Sequence, residues 1–154
     1  MRSIHKLARL ACENSAVLLK NEDGILPVGA KVQAAVIGDF AFDPRYQGAG
    51  SSMVNSTKVD SIKDMLETSG ISVTGIVRGY QRDGKEDEAM KKEAVDLARR
   101  SDVVLFFFGL NEKSETEGLD RKHLRIPQNQ INLIQELAKA NANMIGIISA
   151  GSVI

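Results

Sequence analysis

A chain of 154 residues has room for one domain with a sizeable core, and a second independent core is not expected. Twenty basic residues balance twenty acidic ones and no Lys/Arg cluster stands out, which disfavours nucleic acid and anionic membranes as partners. No apolar run reaches the roughly 18 residues needed to span a bilayer, and the N-terminus lacks an apolar signal core, so a soluble protein is expected, with the cytoplasm favoured.

Ser3 is suited to cap a helix running to about Asn14, with Ile4, Leu7, Ala8, Ala11 and Cys12 at helical spacing. Cys12, the one cysteine, has no partner for an internal disulfide, and its apolar neighbours predict a buried, inert thiol. Val17 to Leu19 reads as a short extended segment. Asn21 to Gly24, with Pro27, reads as turn chemistry. The apolar run Val32 to Ile37, closed by Gly38-Asp39, has the pattern of a central parallel strand buried on both faces.

Phe40 to Ser56 is rich in Gly, Ser and Asn without periodicity, and such long loops in compact domains are often functional. A helix is expected from near Val59, with Ile62, Met65 and Leu66 on one face and Gly70 as its stop. Ile71 to Val77 alternates like a strand nearer a sheet edge, and Gly79 to Lys85 reads as a loop. Glu86 to Arg100 is an amphipathic helix with Ala89, Met90, Ala94, Leu97 and Ala98 facing inward, its charge run being a solvated face. Asp102 to Gly109 is the most strand-like run of the chain. Pro127 opens a helix to about Asn141 on an apolar stripe of Ile131, Ile134, Leu137 and Ala138, and Met144 to Ile148 is expected to be another buried strand.

This alternation of strands and helices predicts an α/β fold, a three-layer α/β/α sandwich with a mainly parallel sheet, forming a single domain over residues 1–154. The chain stops just past its last strand, so it is expected to be a piece of a longer fold, truncated at its C-terminal end.

Glu112, Glu115, Glu117 and Asp120 crowd the loop that follows Val103 to Leu110, at the end of a strand where open α/β sheets place ligand-handling groups. Mutual repulsion with partial burial would raise one carboxyl pKa, as a general acid for a glycosidic oxygen requires. Such chemistry needs a second carboxylate, and none is identified here. The competing readings are a charged solvated loop or a small-molecule or nucleotide-binding module. Gly38-Asp-Phe and Gly48 to Ser52 invite the nucleotide reading, but no phosphate-loop or dinucleotide glycine spacing is present. His5 and His123 are far apart and no His/Cys pair has ligand spacing, so no metal or other cofactor is expected. His123 reads as a surface or hydrogen-bonding histidine, and no Gly-x-Ser-x-Gly elbow supports a serine hydrolase.

Four stretches resemble the second, α/β-sandwich domain of family 3 glycoside hydrolases, the β-glucosidase and β-xylosidase group. They are Ala11 to Pro27 (ACENSAVLLKNEDGILP), Val36-Ile-Gly38 with Gly48 to Ser52 (GAGSS), Glu115 to Arg121 (ETEGLDR) with Leu124 to Pro127 and Gln130, and Ser149 to Ser152. The resemblance implies a retaining, exo-acting β-glycosidase whose substrate is a β-glucoside or related oligosaccharide. Its nucleophile would come from a preceding barrel domain of the same enzyme, and its acid/base glutamate from this loop. Glu117, immediately before Gly118, best matches the acid/base position, with Glu115 its rival. Arg45, Gln47, Gly48 and Ser51 would face the interdomain cleft and contact sugar. Asp120 and Arg121 would support the loop through an ion pair or hydrogen bonds. Alone, the chain should not turn over glycosides, and an apolar face meant for the barrel would favour self-association into a homo-oligomer.

Overall fold

The computed structural model describes residues 2–22 and 24–154; Asp23, in the expected turn, lies outside them. Its centre is a four-stranded, all-parallel sheet in the order β2-β1-β3-β4, made of β1 (Gln33–Ile37), β2 (Ser72–Val77), β3 (Val103–Gly109) and β4 (Met144–Ser149). Register is continuous across the middle, with Ala34 opposite Val103, Ile37 opposite Phe106, and Val104 opposite Met144. Every residue of β3 is buried, as are four of the five in β1, which matches the unbroken apolar runs of strands covered on both faces.

The helices are α1 (Arg2–Ser15), α2 (Ile62–Ser69), α3 (Glu88–Arg99) and α4 (Gln128–Ala140). One face of the sheet is covered by α3 and α4, whose Ala94, Val95, Leu97, Leu133 and Leu137 pack on Ile37, Val104 and Phe106. On the opposite face, Ile62 and Leu66 of α2 join Phe40, Ala41, Ile25 and Val28 over Val36, Leu105 and Phe107. The three-layer α/β arrangement expected from the hydrophobic pattern is therefore present.

Local chemistry sets the helix ends. Ser61 caps α2 by accepting the Asp64 amide at 3.1 Å, and Gly70 closes it. Asp87 caps α3 by accepting the Met90 amide at 3.0 Å, so that helix begins two residues later than expected. Asn21 secures the turn before β1 by exchanging two hydrogen bonds with the Leu26 backbone, at 3.0 and 3.1 Å.

Several expectations fail for one reason: periodicity reports a greasy stripe and not what covers it. Cys12 is exposed rather than buried, because α1 lies off the sheet with Ile4, Leu7 and Leu10 in solvent. The same helix runs from Arg2, and the expected cap at Ser3 concerns a side chain outside the described residues. Val17 to Leu19, read as a short extended segment, is exposed and lies outside the sheet, in keeping with that reading. The last strand, β4, is at the sheet edge and half-exposed, with Ile148 in solvent, where a buried strand was expected. In the packed helices Ala89 and Ala138 point outward, whereas Val95 and Leu133, absent from the expected stripes, are buried. Two 3₁₀ turns, Asp39–Ala41 and Gly50–Ser52, interrupt the long loop.

Candidate functional site

From β1 the chain passes to β2 on one side and then, through α3, to β3 on the other. The strand order thus reverses between β1 and β3, and a crevice opens beyond their carboxyl ends, the usual ligand position in such sheets. Three loops meet there: residues 38–56 after β1, residues 110–126 after β3, and residues 150–154 after β4.

Gly38 shows how tightly this end is built. Its φ is +129°, and a Cβ there would lie 2.0 Å from the Phe107 carbonyl oxygen of β3, so only glycine lets the two strands diverge at this point. Gly38 therefore serves the close approach of the two strands, which gives this glycine a role without a phosphate. Asp39 is buried and joins Arg78 and Arg82, the latter at 2.8 Å. Arg82 also donates to the Asp43 carbonyl and pairs with Glu112, while the two guanidinium groups lie 4.6 and 4.8 Å from the ring centres of Phe42 and Phe40. The sequence reading missed this network, although a charge directly after a buried strand, as at Asp39, was its signal.

Glu115 occupies a nearly closed position. It pairs with Arg45, which also donates to the Leu110 carbonyl at 2.9 Å, and it accepts from the Gly151 amide at 2.9 Å and from the Ser152 hydroxyl. The Arg45 and Glu115 side chains are 8% and 11% exposed, so one ion pair locks all three loops together. Burial pushes the Glu115 carboxyl up, but Arg45, Ser152 and Gly151 outweigh it and hold the group at about 2.

Glu117 is exposed and differently held. Its Oε2 accepts the Ser51 amide at 3.0 Å and the Ser51 hydroxyl, and these two bonds keep the carboxyl below its ordinary range. Glu112 is also lowered, since Arg82 overcomes the opposing effect of burial. The sequence analysis expected crowding to raise one carboxyl of this loop. The tertiary structure reverses that direction for Glu112, Glu115 and Glu117, because each carboxylate meets a donor from another segment rather than its acidic neighbours.

The remaining expected site residues fall on the same rim. Gln47 closes its own loop by accepting the Val54 amide at 3.0 Å and donating to the Tyr46 hydroxyl at 3.2 Å. Arg45, Tyr46, Gln47 and Gly48 line a groove of about 400 Å³ with Ile148 to Gly151. Arg121 donates to the Ser152 hydroxyl at 3.1 Å and to the Val153 carbonyl, tying the loop to the segment after β4. Among the described residues no ion pair joins Asp120 to Arg121, and Asp120 is exposed. His123 is exposed and accepts the Arg125 amide at 3.3 Å. No cluster of His, Cys, Asp or Glu among the described residues is arranged to hold a metal ion, and no described helix is long and apolar enough to cross a membrane.

Fold and site together define an α/β domain that carries an acidic loop at the carboxyl end of a parallel sheet, beside its topological switch point. The chain belongs to the glycosyl hydrolase family 3 C-terminal domain family, whose model matches residues 16–154. It is 43% identical over 159 residues to an exo-alpha-(1->6)-L-arabinopyranosidase of Bifidobacterium breve, covering 97% of this chain and 21% of that protein. It is 41% identical over 152 residues to thermostable beta-glucosidase B of Acetivibrio thermocellus, covering 96% and 20%. The crystal structure of a GH3 beta-glucosidase from Bifidobacterium adolescentis superposes with a TM-score of 0.84 at 45% identity, covering 90% of this chain and 20% of that one. The chain thus spans about a fifth of the length of the curated relatives it matches.

Proposed function

We propose that this domain works within a retaining, exo-acting β-glycosidase and supplies the acid/base carboxylate from Glu117 to a site completed by a barrel domain of the same enzyme. The observation that carries the reading is the contrast between the two candidate glutamates. Glu115 has both oxygens engaged and its ion pair withdrawn from solvent, so near neutrality it carries no proton to donate, and taking one up would break the contacts that join three loops. Glu117 is exposed at the rim of the crevice and is held through one oxygen only by Ser51. The names of the relatives, β-glucosidase and exo-acting arabinopyranosidase, support a terminal sugar as substrate.

In such an enzyme the acid protonates the leaving oxygen as the nucleophile attacks. The resulting carboxylate then takes a proton from the water that releases the sugar. In this chain by itself the Glu117 carboxyl is biased toward its ionised form, which suits the second step. The first step needs its pKa raised by a nearby nucleophilic carboxylate and by exclusion of water when the barrel closes over it. Arg45 and Gln47, which line the groove on the loop that also carries Glu117's partner Ser51, are the proposed sugar contacts, with Gly48 beside them on the same groove. Arg121 supports the loop from behind, and Asp120 is assigned to the same support.

The test is hydrolysis of aryl β-glycosides by the full-length enzyme. Glu117→Ala should lose about 10²- to 10⁴-fold on poor leaving groups, far less on good ones, and recover rate with azide. Loss and rescue at Glu115→Ala instead would move the role to that residue. Indifference at both would leave the domain a scaffold.

A further inference from the structure

The turn at residues 49–52 and the bend at residues 115–117 form one unit. Ala49 and Thr116 pair as an isolated parallel bridge, which brings the two loops into backbone register 67 residues apart along the chain. One residue further, Gly50 has φ +81°, and a Cβ there would come within 2.9 Å of the Glu117 Cβ. One residue further again, Ser51 donates both its amide and its hydroxyl to Glu117 Oε2. Register, close approach and hydrogen bonding thus converge on a single side chain. Neither donor of Ser51 is aimed at the groove, where a sugar contact would require it.

We propose that Ser51 is a positioning residue for Glu117, binding Oε2 so that the proton exchanged with substrate is carried on Oε1. The proposal rests on Glu117 being the acid/base, and it replaces the expected sugar contact at Ser51. The chemistry is simple: an oxygen that already accepts two hydrogen bonds is the poorer site for a proton, so the protonated carboxyl carries its hydrogen on the other oxygen. With Oε2 held by two donors of one residue, the carboxyl is restrained in how it turns, and Oε1 is the oxygen left without a hydrogen-bond partner among the described residues. General acid catalysis depends on such alignment.

The experiment compares Ser51→Ala, Ser51→Thr and Gly50→Ala in the full-length enzyme, on aryl β-glycosides of good and poor leaving groups across pH. Ser51→Ala should lower kcat roughly tenfold on poor leaving groups with KM little changed, and move the basic limb of kcat/KM to higher pH. Ser51→Thr, which keeps both donors, should restore the rate and the limb. Gly50→Ala keeps the donors but pushes on the Glu117 Cβ, so it should also lose rate selectively on poor leaving groups.

A Ser51→Ala enzyme with raised KM for all leaving groups and an unmoved basic limb would overturn the proposal and make Ser51 a sugar contact. Glu117→Ala with azide, run alongside, separates the failures. If that variant keeps its rate on poor leaving groups, the acid/base reading falls and this proposal with it. If it loses rate and azide rescues it while Ser51→Ala behaves as wild type, only the Ser51 role falls. A second readout needs no turnover: carbon-13 NMR titration of the Glu117 carboxyl in this chain should shift to higher pH in Ser51→Ala, and an unchanged midpoint would refute the contact.

Discussion

Removing the charge from Glu115 should cost the domain stability in a way that depends on pH. In the folded chain this carboxyl is held at about 2 against an ordinary 4.5. At about 1.4 kcal/mol per unit, that drop corresponds to roughly 3 kcal/mol of stabilisation, and access of water to the loop rim trims it to about 2 kcal/mol. The folded pKa is depressed, so this contribution is fully present above pH 4.5 and is lost as pH falls from 4.5 toward 2. Glu115→Gln also leaves Arg45 charged and 8% exposed without its partner, and the Arg45 Nε already lacks a hydrogen bond among the described residues.

The expected result at pH 7 is a loss of about 2–3 kcal/mol in urea unfolding followed by circular dichroism, or a fall in Tm of roughly 4–12 °C for a chain of this size. The gap between wild type and variant should narrow as the buffer is taken from pH 5 to pH 3. In the double variant Arg45→Met/Glu115→Gln, part of the loss should return, giving a coupling of at least about 1 kcal/mol. A gap below about 0.5 kcal/mol, or one that stays constant with pH, would show that the ion pair does not lock the loops.

Three further outcomes follow from the packing. Phe106 is fully buried at the centre of the sheet, stacked on Phe108 at 4.9 Å and edge-on to Tyr80 at 6.1 Å, so Phe106→Ala should cost about 3–5 kcal/mol in denaturant unfolding. Ser61→Ala removes the cap of α2 and should cost about 1 kcal/mol, with the circular dichroism of the folded state unchanged. Cys12 should react stoichiometrically with an aromatic disulfide reagent in the native chain; a thiol that reacts only after unfolding would place α1 against the domain after all.

Much of the fold is readable from local pattern. The largely apolar runs at Val32 to Ile37 and Asp102 to Gly109 correspond to the two central strands, and the alternation at Ile71 to Val77 to an edge strand. Burial on one or both faces leaves a period in the sequence, and Pro127, Asp87, Ser61 and Gly70 act on backbone within a few residues of themselves. The meeting of the candidate loops at one end of the sheet was readable for the same reason, since strand-end loops in a parallel sheet share one side.

What each site residue does there was not readable, because its partners are distant in the chain. Arg45 meets Glu115 across 70 residues, and Ser51 meets Glu117 across 66. Local crowding of acids suggested raised carboxyl pKa values, yet donors delivered by other loops lower them. The sequence by itself determined the sandwich, its central strands and the loop that holds the carboxylates, since these follow from short-range periodicity and turn chemistry. Only the tertiary structure decided that Glu115 is a lock and Glu117 an exposed carboxylate, that Cys12 and β4 stand in solvent, and that Gly38 is needed beside Phe107. Those facts depend on which distant backbone and charge each residue meets, and a local pattern does not encode that.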